Sequence, residues 1–204
     1  MCRIGGFGGV SGLANFLKEQ KIDVVICATH PFARKMPFNA LEAGKNAGVP
    51  VLFILRPQWQ AQIGDNWLEV ERHGQAIEIL GAEQKRIFLT VGRLELAEYE
   101  TAPQHFYVVR SIDEVVEKNL PNAEYITSRP PFSIENEREL MQKYKIDYLI
   151  TKNSGGYSTE NKLIAARELK IPVILIKRPT RPDALHVETA QQAIEWLHNI
   201  VVYR

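Results

Sequence analysis

Short runs of β-branched and aromatic residues recur along the chain, and between them the apolar residues fall at helical spacing. The runs are Val24–Ile26, Val51–Leu55, Ile87–Val91, Tyr107–Val109, Tyr148–Ile150 and Val173–Ile176. Leu13, Phe16 and Leu17 mark one helical face. Ala40, Ala43 and Ala47 mark a second, which Gly48-Val49-Pro50 ends before the next strand. Leu163, Ala166 and Leu169 mark a third ahead of Lys170-Ile171-Pro172, and a last helix from Thr189 to Ile200 carries Ala193, Ile194 and Leu197. Parallel strands need a crossover connection, usually a helix, so this alternation predicts an α/β fold with mainly parallel sheets.

Residues 47–57, AGVPVLFILRP, and 169–179, LKIPVILIKRP, share an apolar-Pro-strand-Arg-Pro plan. Two related α/β halves explain the likeness, and so does chance similarity of two helix-to-strand units. The polar stretch Gln58 to Arg72, with Gly64-Asp65-Asn66, reads as a crossing between halves. The expected domains are therefore residues 1–70 and 71–204.

Composition narrows the partners. Lysine plus arginine (25) nearly balance aspartate plus glutamate (24), so no overall field gathers nucleic acid or a membrane surface, and any anion must be bound locally. Cys2 and Cys27 show no CxxC spacing, the five histidines show no metal-ligand spacing, and no metal site is expected. No run approaches the roughly 18 apolar residues of a membrane helix, and a cytoplasmic protein is the expectation.

Four local features could carry chemistry. Gly5-Gly6-Phe7-Gly8-Gly9 precedes the first helical pattern, where backbone amides could approach an anion; with GxGxxG spacing and a preceding strand both absent, the residues alone favour a plain turn or helix entry. Ala28-Thr29-His30-Pro31 follows the first strand, and the carboxyl edge of an open α/β sheet is where ligands gather. A histidine there can donate or carry a proton, or serve as a structural hydrogen bonder. Thr151-Lys152-Asn153-Ser154-Gly155-Gly156 lies between a strand and a helix that Ser158 or Thr159 could cap, which describes an anion cradle with a point charge, or an exposed loop. Arg56-Pro57 and Arg178-Pro179 each close a strand, where an arginine can clamp a carboxylate or bridge to a neighbouring loop. Trp59, Trp67 and Trp196 could stack on a flat ligand, although core packing is the usual place of tryptophan.

Arg3 to Gly9, Ala28 to Ala33, Arg56-Pro57 with Trp59, Leu89-Thr90-Val91-Gly92-Arg93, Arg129-Pro130-Pro131-Phe132 and Thr151 to Gly156 occur together in an order that resembles the precorrin-6A reductase family. Lys162, Ala165-Ala166-Arg167 and Arg178-Pro179 continue the likeness, which runs from residue 3 to about 182. The resemblance implies two Rossmann-like α/β domains with cofactor and substrate at their cleft, and NADPH-dependent reduction of one double bond of a polycarboxylate tetrapyrrole. It implies Lys152 and His30 as catalytic residues. Thr29, Lys152, Asn153, Ser154, Gly155 and Gly156 would hold the cofactor; Gly5, Gly6, Gly8, Gly9, Arg34, Arg56 and Arg178 would meet the substrate.

Two departures from the family pattern are visible. Family members carry a strand and a Gly-Gly-Thr-type turn upstream of GGFGG, so the first domain is expected to be incomplete at its N-terminus. Cys27 stands where the family usually has aspartate. A non-catalytic tetrapyrrole-binding remnant and half of a split reductase are the alternatives to a working enzyme, and a monomer is expected when the sheet is complete.

Overall fold

Apolar residues at helical spacing follow the glycine-rich opening, and the first helix forms there. In the computed structural model, which describes residues 2–202, α1 (Gly9–Glu19) buries Leu13, Ala14 and Leu17. β1 (Val25–Cys27), α2 (Met36–Ala47), β2 (Val51–Ile54), β3 (Trp67–Val70), α3 (His73–Leu80) and β4 (Arg86–Thr90) follow. A 3-10 turn, Arg93–Glu95, leads into the short α4 (Leu96–Tyr99), then β5 (Phe106–Ser111), β6 (Ala123–Thr127), α5 (Ile134–Lys143) and β7 (Tyr148–Lys152). After a second 3-10 turn, Tyr157–Thr159, come α6 (Asn161–Glu168), β8 (Val173–Ile176), β9 (His186–Val187) and α7 (Ala190–Val202).

The strands form two sheets, of order β1-β2-β9 and β3-β8-β7-β4-β5-β6, and every pairing is parallel. The α/β expectation holds. Interior strands β4, β7 and β8 are buried on both faces and read as continuous apolar runs, as parallel strands do. β3, β6 and β9 do not appear among the expected strands. They lie at sheet edges, where half-exposed sequences such as Ala123-Glu124-Tyr125-Ile126-Thr127 need no apolar run.

The chain divides into two compact units, but not at residue 70. One takes in everything up to Pro57 together with the segment from Pro179 onward; the other is Gln58–Arg178. The stretch expected as a crossing belongs to the second unit for specific reasons. Arg167 holds Asp65 with two hydrogen bonds, at 2.8 and 3.1 Å, and Trp67–Val70 pairs with β8. At the other end of the chain, β9 adds to β2 and so returns the last segment to the first unit.

One helix ending is used four times. Lys21, Gly48, Lys145 and Lys170 take the left-handed conformation after α1, α2, α5 and α6. The next residue, Ile22, Val49, Ile146 or Ile171, donates its N–H back to the carbonyl of Leu17, Gly44, Met141 or Ala166 at 2.8–3.0 Å. This is the Schellman arrangement, in which a left-handed residue turns the chain and an apolar one seals it. It delivers each chain into a parallel strand, so α1-β1-α2-β2-Arg56 and α5-β7-α6-β8-Arg178 follow the same local plan.

Gly44 shows how tightly α2 meets β2. A Cβ there would stand 2.2 Å from Val51 Cγ2 and 2.8 Å from Val49 O. The Val49 backbone cannot yield easily, because its N–H is bonded to Gly44 O at 2.9 Å. Alanine in a helix is favoured over glycine by about 1 kcal/mol, whereas overpacking costs about 1–3 kcal/mol. Gly44→Ala is therefore expected to lower the urea midpoint, and a raised midpoint would show that this contact relaxes freely.

Candidate active site

The topology of the six-stranded sheet singles out one place. From β4 the chain proceeds to β5 and β6 on one side, whereas from β7 it proceeds to β8 on the other, and β4 and β7 are neighbours. The loops beyond their carboxyl ends diverge, and such a switch point is where open α/β sheets bind ligands. Thr90 lies opposite Thr151, so Gly92 to Glu95 and Lys152 to Gly156 leave the sheet side by side.

Lys152 Nζ donates to Glu95 Oε1 at 3.0 Å, with the lysine side chain 12% and the glutamate side chain 30% exposed. Burial pushes the Glu95 carboxyl up, but the hydrogen bond and charge of Lys152, with a smaller contribution from His73, outweigh it and hold the group below its ordinary value. His73, buried at the start of α3, has Nδ1 2.9 Å from Tyr99 Oη on α4. Gly92 gives the carboxylate its room: a Cβ at residue 92 would lie 2.2 Å from Glu95 Oε2 and 3.3 Å from Lys152 Nζ. Leu94 and Tyr157, on the same two loops, are almost fully exposed.

The glycine-containing loop is held from below. Asn153 is buried; its Oδ1 accepts from Trp59 N at 2.9 Å and its Nδ2 donates to Trp59 O at 3.1 Å. Trp59 Nε1 in turn donates to Gly156 O at 3.2 Å. Arg178 Nε donates to Asn153 O at 2.8 Å, and its Nη2 to Ser154 O at 3.0 Å. Gly155 and Gly156 have φ of +65° and +87°, a region that other residues rarely adopt.

These contacts bear on several expectations. The Asn153 carboxamide and the Arg178 guanidinium bind backbone within the protein, so both residues set the shape of the loop. Trp59 belongs to the core of the second unit. Neither Ser158 nor Thr159 caps a helix: Glu160 occupies the N-cap of α6 with no side-chain cap. With Glu95 on Lys152 and Glu160 at the helix entry, the loop is less cationic than its sequence suggests.

The remaining candidates lie in the first unit and in the segment that leads out of it. Gly8 caps α1 with φ +81°, Gly5 and Gly9 also have positive φ, and Gly6 is closed over by an Arg3 Nη2 hydrogen bond to its carbonyl. The glycine that sterics require there is Gly12, where a Cβ would meet Phe7 O at 1.8 Å. Beyond β1, Thr29 Oγ1 lies 3.6 Å from Cys27 Sγ, and Cys27 is buried in the apolar core of this unit. His30 is exposed and its Nδ1 accepts from Phe32 N at 3.2 Å, so the neutral ring carries its proton on Nε2. Arg181 Nη1 donates to Pro31 O at 3.2 Å and ties the turn down. Arg34 is exposed, and burial lowers the guanidinium pKa of Arg56 below its usual value.

Sequence reasoning missed Glu95, Gly12 and Arg181, and it met Gly92 only within the run Leu89 to Arg93, with no role attached. A glutamate in Gly-Arg-Leu-Glu looks like a solvated loop charge, and no local signal reveals its partner on β7. Among the described residues no helix is long and apolar enough to cross a membrane.

A parallel sheet wound outward in both directions from β4 and β7, with a lysine-carboxylate pair and a glycine loop at its switch point, defines a Rossmann-like α/β protein. The family model described as precorrin-6x reductase CbiJ/CobK matches residues 1–198. The chain belongs to this family. It is 41% identical over 193 residues to a precorrin-6A reductase of Sinorhizobium sp, a match covering 94% of this chain and 74% of that one. With a precorrin-6A reductase of Rhodobacter capsulatus it shares 40% over 196 residues, covering 96% and 78%. A solved structure described as CobK precorrin-6A reductase superposes with a TM-score of 0.91 at 40% identity, covering 97% of this chain and 79% of that chain. None of these matches supports the expected loss of an upstream strand and Gly-Gly-Thr turn.

Proposed function

We propose that this chain reduces one carbon–carbon double bond of precorrin-6A, or of its cobalt-bearing form, to give precorrin-6B in cobalamin biosynthesis. Family membership supports the reaction. The single structural observation that carries the reading is the Lys152–Glu95 pair at the β4–β7 switch point, next to Gly155 and Gly156.

A nicotinamide cofactor, NADPH in this reading, supplies a hydride to one carbon while a proton goes to its neighbour, and NADP+ leaves. The residues present fit such a group. Gly155 and Gly156 keep side chains away from a loop at the carboxyl edge, and the modest charge of that loop suits the nicotinamide end better than the phosphates. Ser154 and Thr29 offer hydroxyls; Asn153 and Arg178 fix the loop that carries Ser154.

Lys152 brings a fixed ammonium to the reduced ring, where negative charge develops as the hydride arrives. His30, with a donor at Nε2, is the second proton-bearing group. Gly5, Gly6, Gly8 and Gly9 allow close approach of the macrocycle, and Arg34 and Arg56 answer its carboxylates.

The test is consumption of NADPH by the purified 204-residue chain, followed with precorrin-6A and separately with cobalt-precorrin-6A. Oxidation that requires one of the tetrapyrroles, and is slower with NADH, is expected. A folded sample that leaves NADPH intact with both would overturn the assignment and favour a binding remnant.

A further inference from the structure

We propose that Glu95 is a positioning residue for Lys152, fixing its ammonium at the switch point through a carboxylate that Gly92 leaves room for. The proposal rests on the reductase reading above and concerns a residue outside every motif that marked the site.

Three observations converge. The pair joins the loops that diverge from β4 and β7, residues 57 apart in sequence, at 3.0 Å. A lysine carries four rotatable carbons, and at the end of a strand only a second contact fixes where its nitrogen lies. The carboxylate that makes this contact lies over the backbone of Gly92, in space that any other side chain would occupy. Gly92 has φ −75° and ψ 160°, an extended conformation open to any residue. Its lack of a side chain is therefore needed for the carboxylate and not for the backbone.

That distinction provides a clean test. Gly92→Ala keeps an allowed backbone and retains both charges, but forces Glu95 off its place; Glu95→Gln keeps the shape and removes the charge. Misplacing a reacting group by about 1 Å costs on the order of a hundredfold in rate. Because Glu95 acts through Lys152, the loss falls on kcat, with little change in KM for the tetrapyrrole.

The experiment measures kcat and KM for wild type, Glu95→Gln, Gly92→Ala, Lys152→Met and the Glu95→Gln/Lys152→Met double variant, each with a thermal melt. We expect Glu95→Gln and Gly92→Ala to lose at least about tenfold in kcat while melting near wild type. The double variant should be no slower than Lys152→Met alone, since a residue acting only through another has nothing left to position. Wild-type kcat in Glu95→Gln, or losses that multiply in the double variant, would overturn the proposal while leaving the reductase reading intact. Absence of wild-type turnover would instead remove the reading itself, and the proposal with it.

Discussion

Lys152→Met is expected to lower kcat by about a hundredfold to a thousandfold, the range for removal of one preorganised donor aimed at developing charge. Methionine keeps most of the stem that leaves β7 and removes only the ammonium, so the loop beyond it should stay in place. Asn153, Trp59 and Arg178 hold that loop, and what residue 152 adds to it comes from its backbone carbonyl, which accepts from Ser154 and is unchanged by the substitution. In the proposed reaction, negative charge on the reacting ring would develop only as hydride is delivered, so kcat and kcat/KM should fall together. A second consequence follows at Glu95. With the ammonium gone, the burial that already pushes its carboxyl upward is no longer outweighed by Lys152, and the group should take up a proton more readily than in the wild type. Arginine should not rescue the rate, because a planar fork does not reproduce the compact ammonium that meets Glu95 Oε1 at 3.0 Å. Steady-state kinetics with saturating NADPH decides the matter: a kcat within a few-fold of wild type would remove Lys152 from the chemistry.

What the sequence made legible follows from how local each signal is. β4, β7 and β8 announce themselves because a strand buried on both faces must be apolar throughout. β3 and β6 do not, since an edge strand is specified as much by its one neighbour as by itself. The repeat of Lys-Ile-Asp at 21–23 and 145–147 was present to be read. Nothing in the sequence marks those lysines as left-handed until the Schellman hydrogen bonds are seen. The loop from Lys152 to Gly156 was found because strand, lysine and glycines are contiguous. Glu95 was not, because its meaning depends on a strand pairing made far along the chain. Asn153 and Arg178 stood out as polar groups at a strand end; a bridge from Arg178 to a neighbouring loop was among the readings of that residue, whereas the contacts of Asn153 with Trp59 were not. Backbone carbonyls in an irregular loop need donors, and no sequence pattern displays that need. The misplaced boundary has the same origin: Asp65 looks like a turn residue in solvent, yet its carboxylate is buried against Arg167 from α6.

The largest loss of stability is expected at Glu137, far from any candidate ligand group in sequence motif. Arg110 on β5 and Glu137 on α5 are both buried, with Nη2 2.8 Å from Oε1. The guanidinium lies over the rings of Phe132, at 3.8 Å, and Phe88, at 4.9 Å. The carboxylate contact is ionic more than an aligned hydrogen bond, and Oε2 has no hydrogen-bond partner among the described residues. Desolvation of the carboxylate is thus offset chiefly by one neighbour. Removing either charge strands the other in an apolar setting, which costs about 3–5 kcal/mol, whereas replacing both with apolar residues of similar volume is often neutral or stabilising. Glu137→Leu should therefore lower the unfolding midpoint sharply in the transition reported by Trp59 and Trp67, and Arg110→Met/Glu137→Leu should recover most of the loss. The pair also bears on the site. Phe132, under the guanidinium, accepts through its carbonyl from Asn161 Nδ2 at 2.7 Å, and Asn161 opens the helix that follows the Lys152 loop. If the double variant regains stability but not turnover, the ion pair serves chiefly to orient that connection. If it regains both, the aromatic and aliphatic packing around residues 88, 110 and 132 suffices to hold the loop.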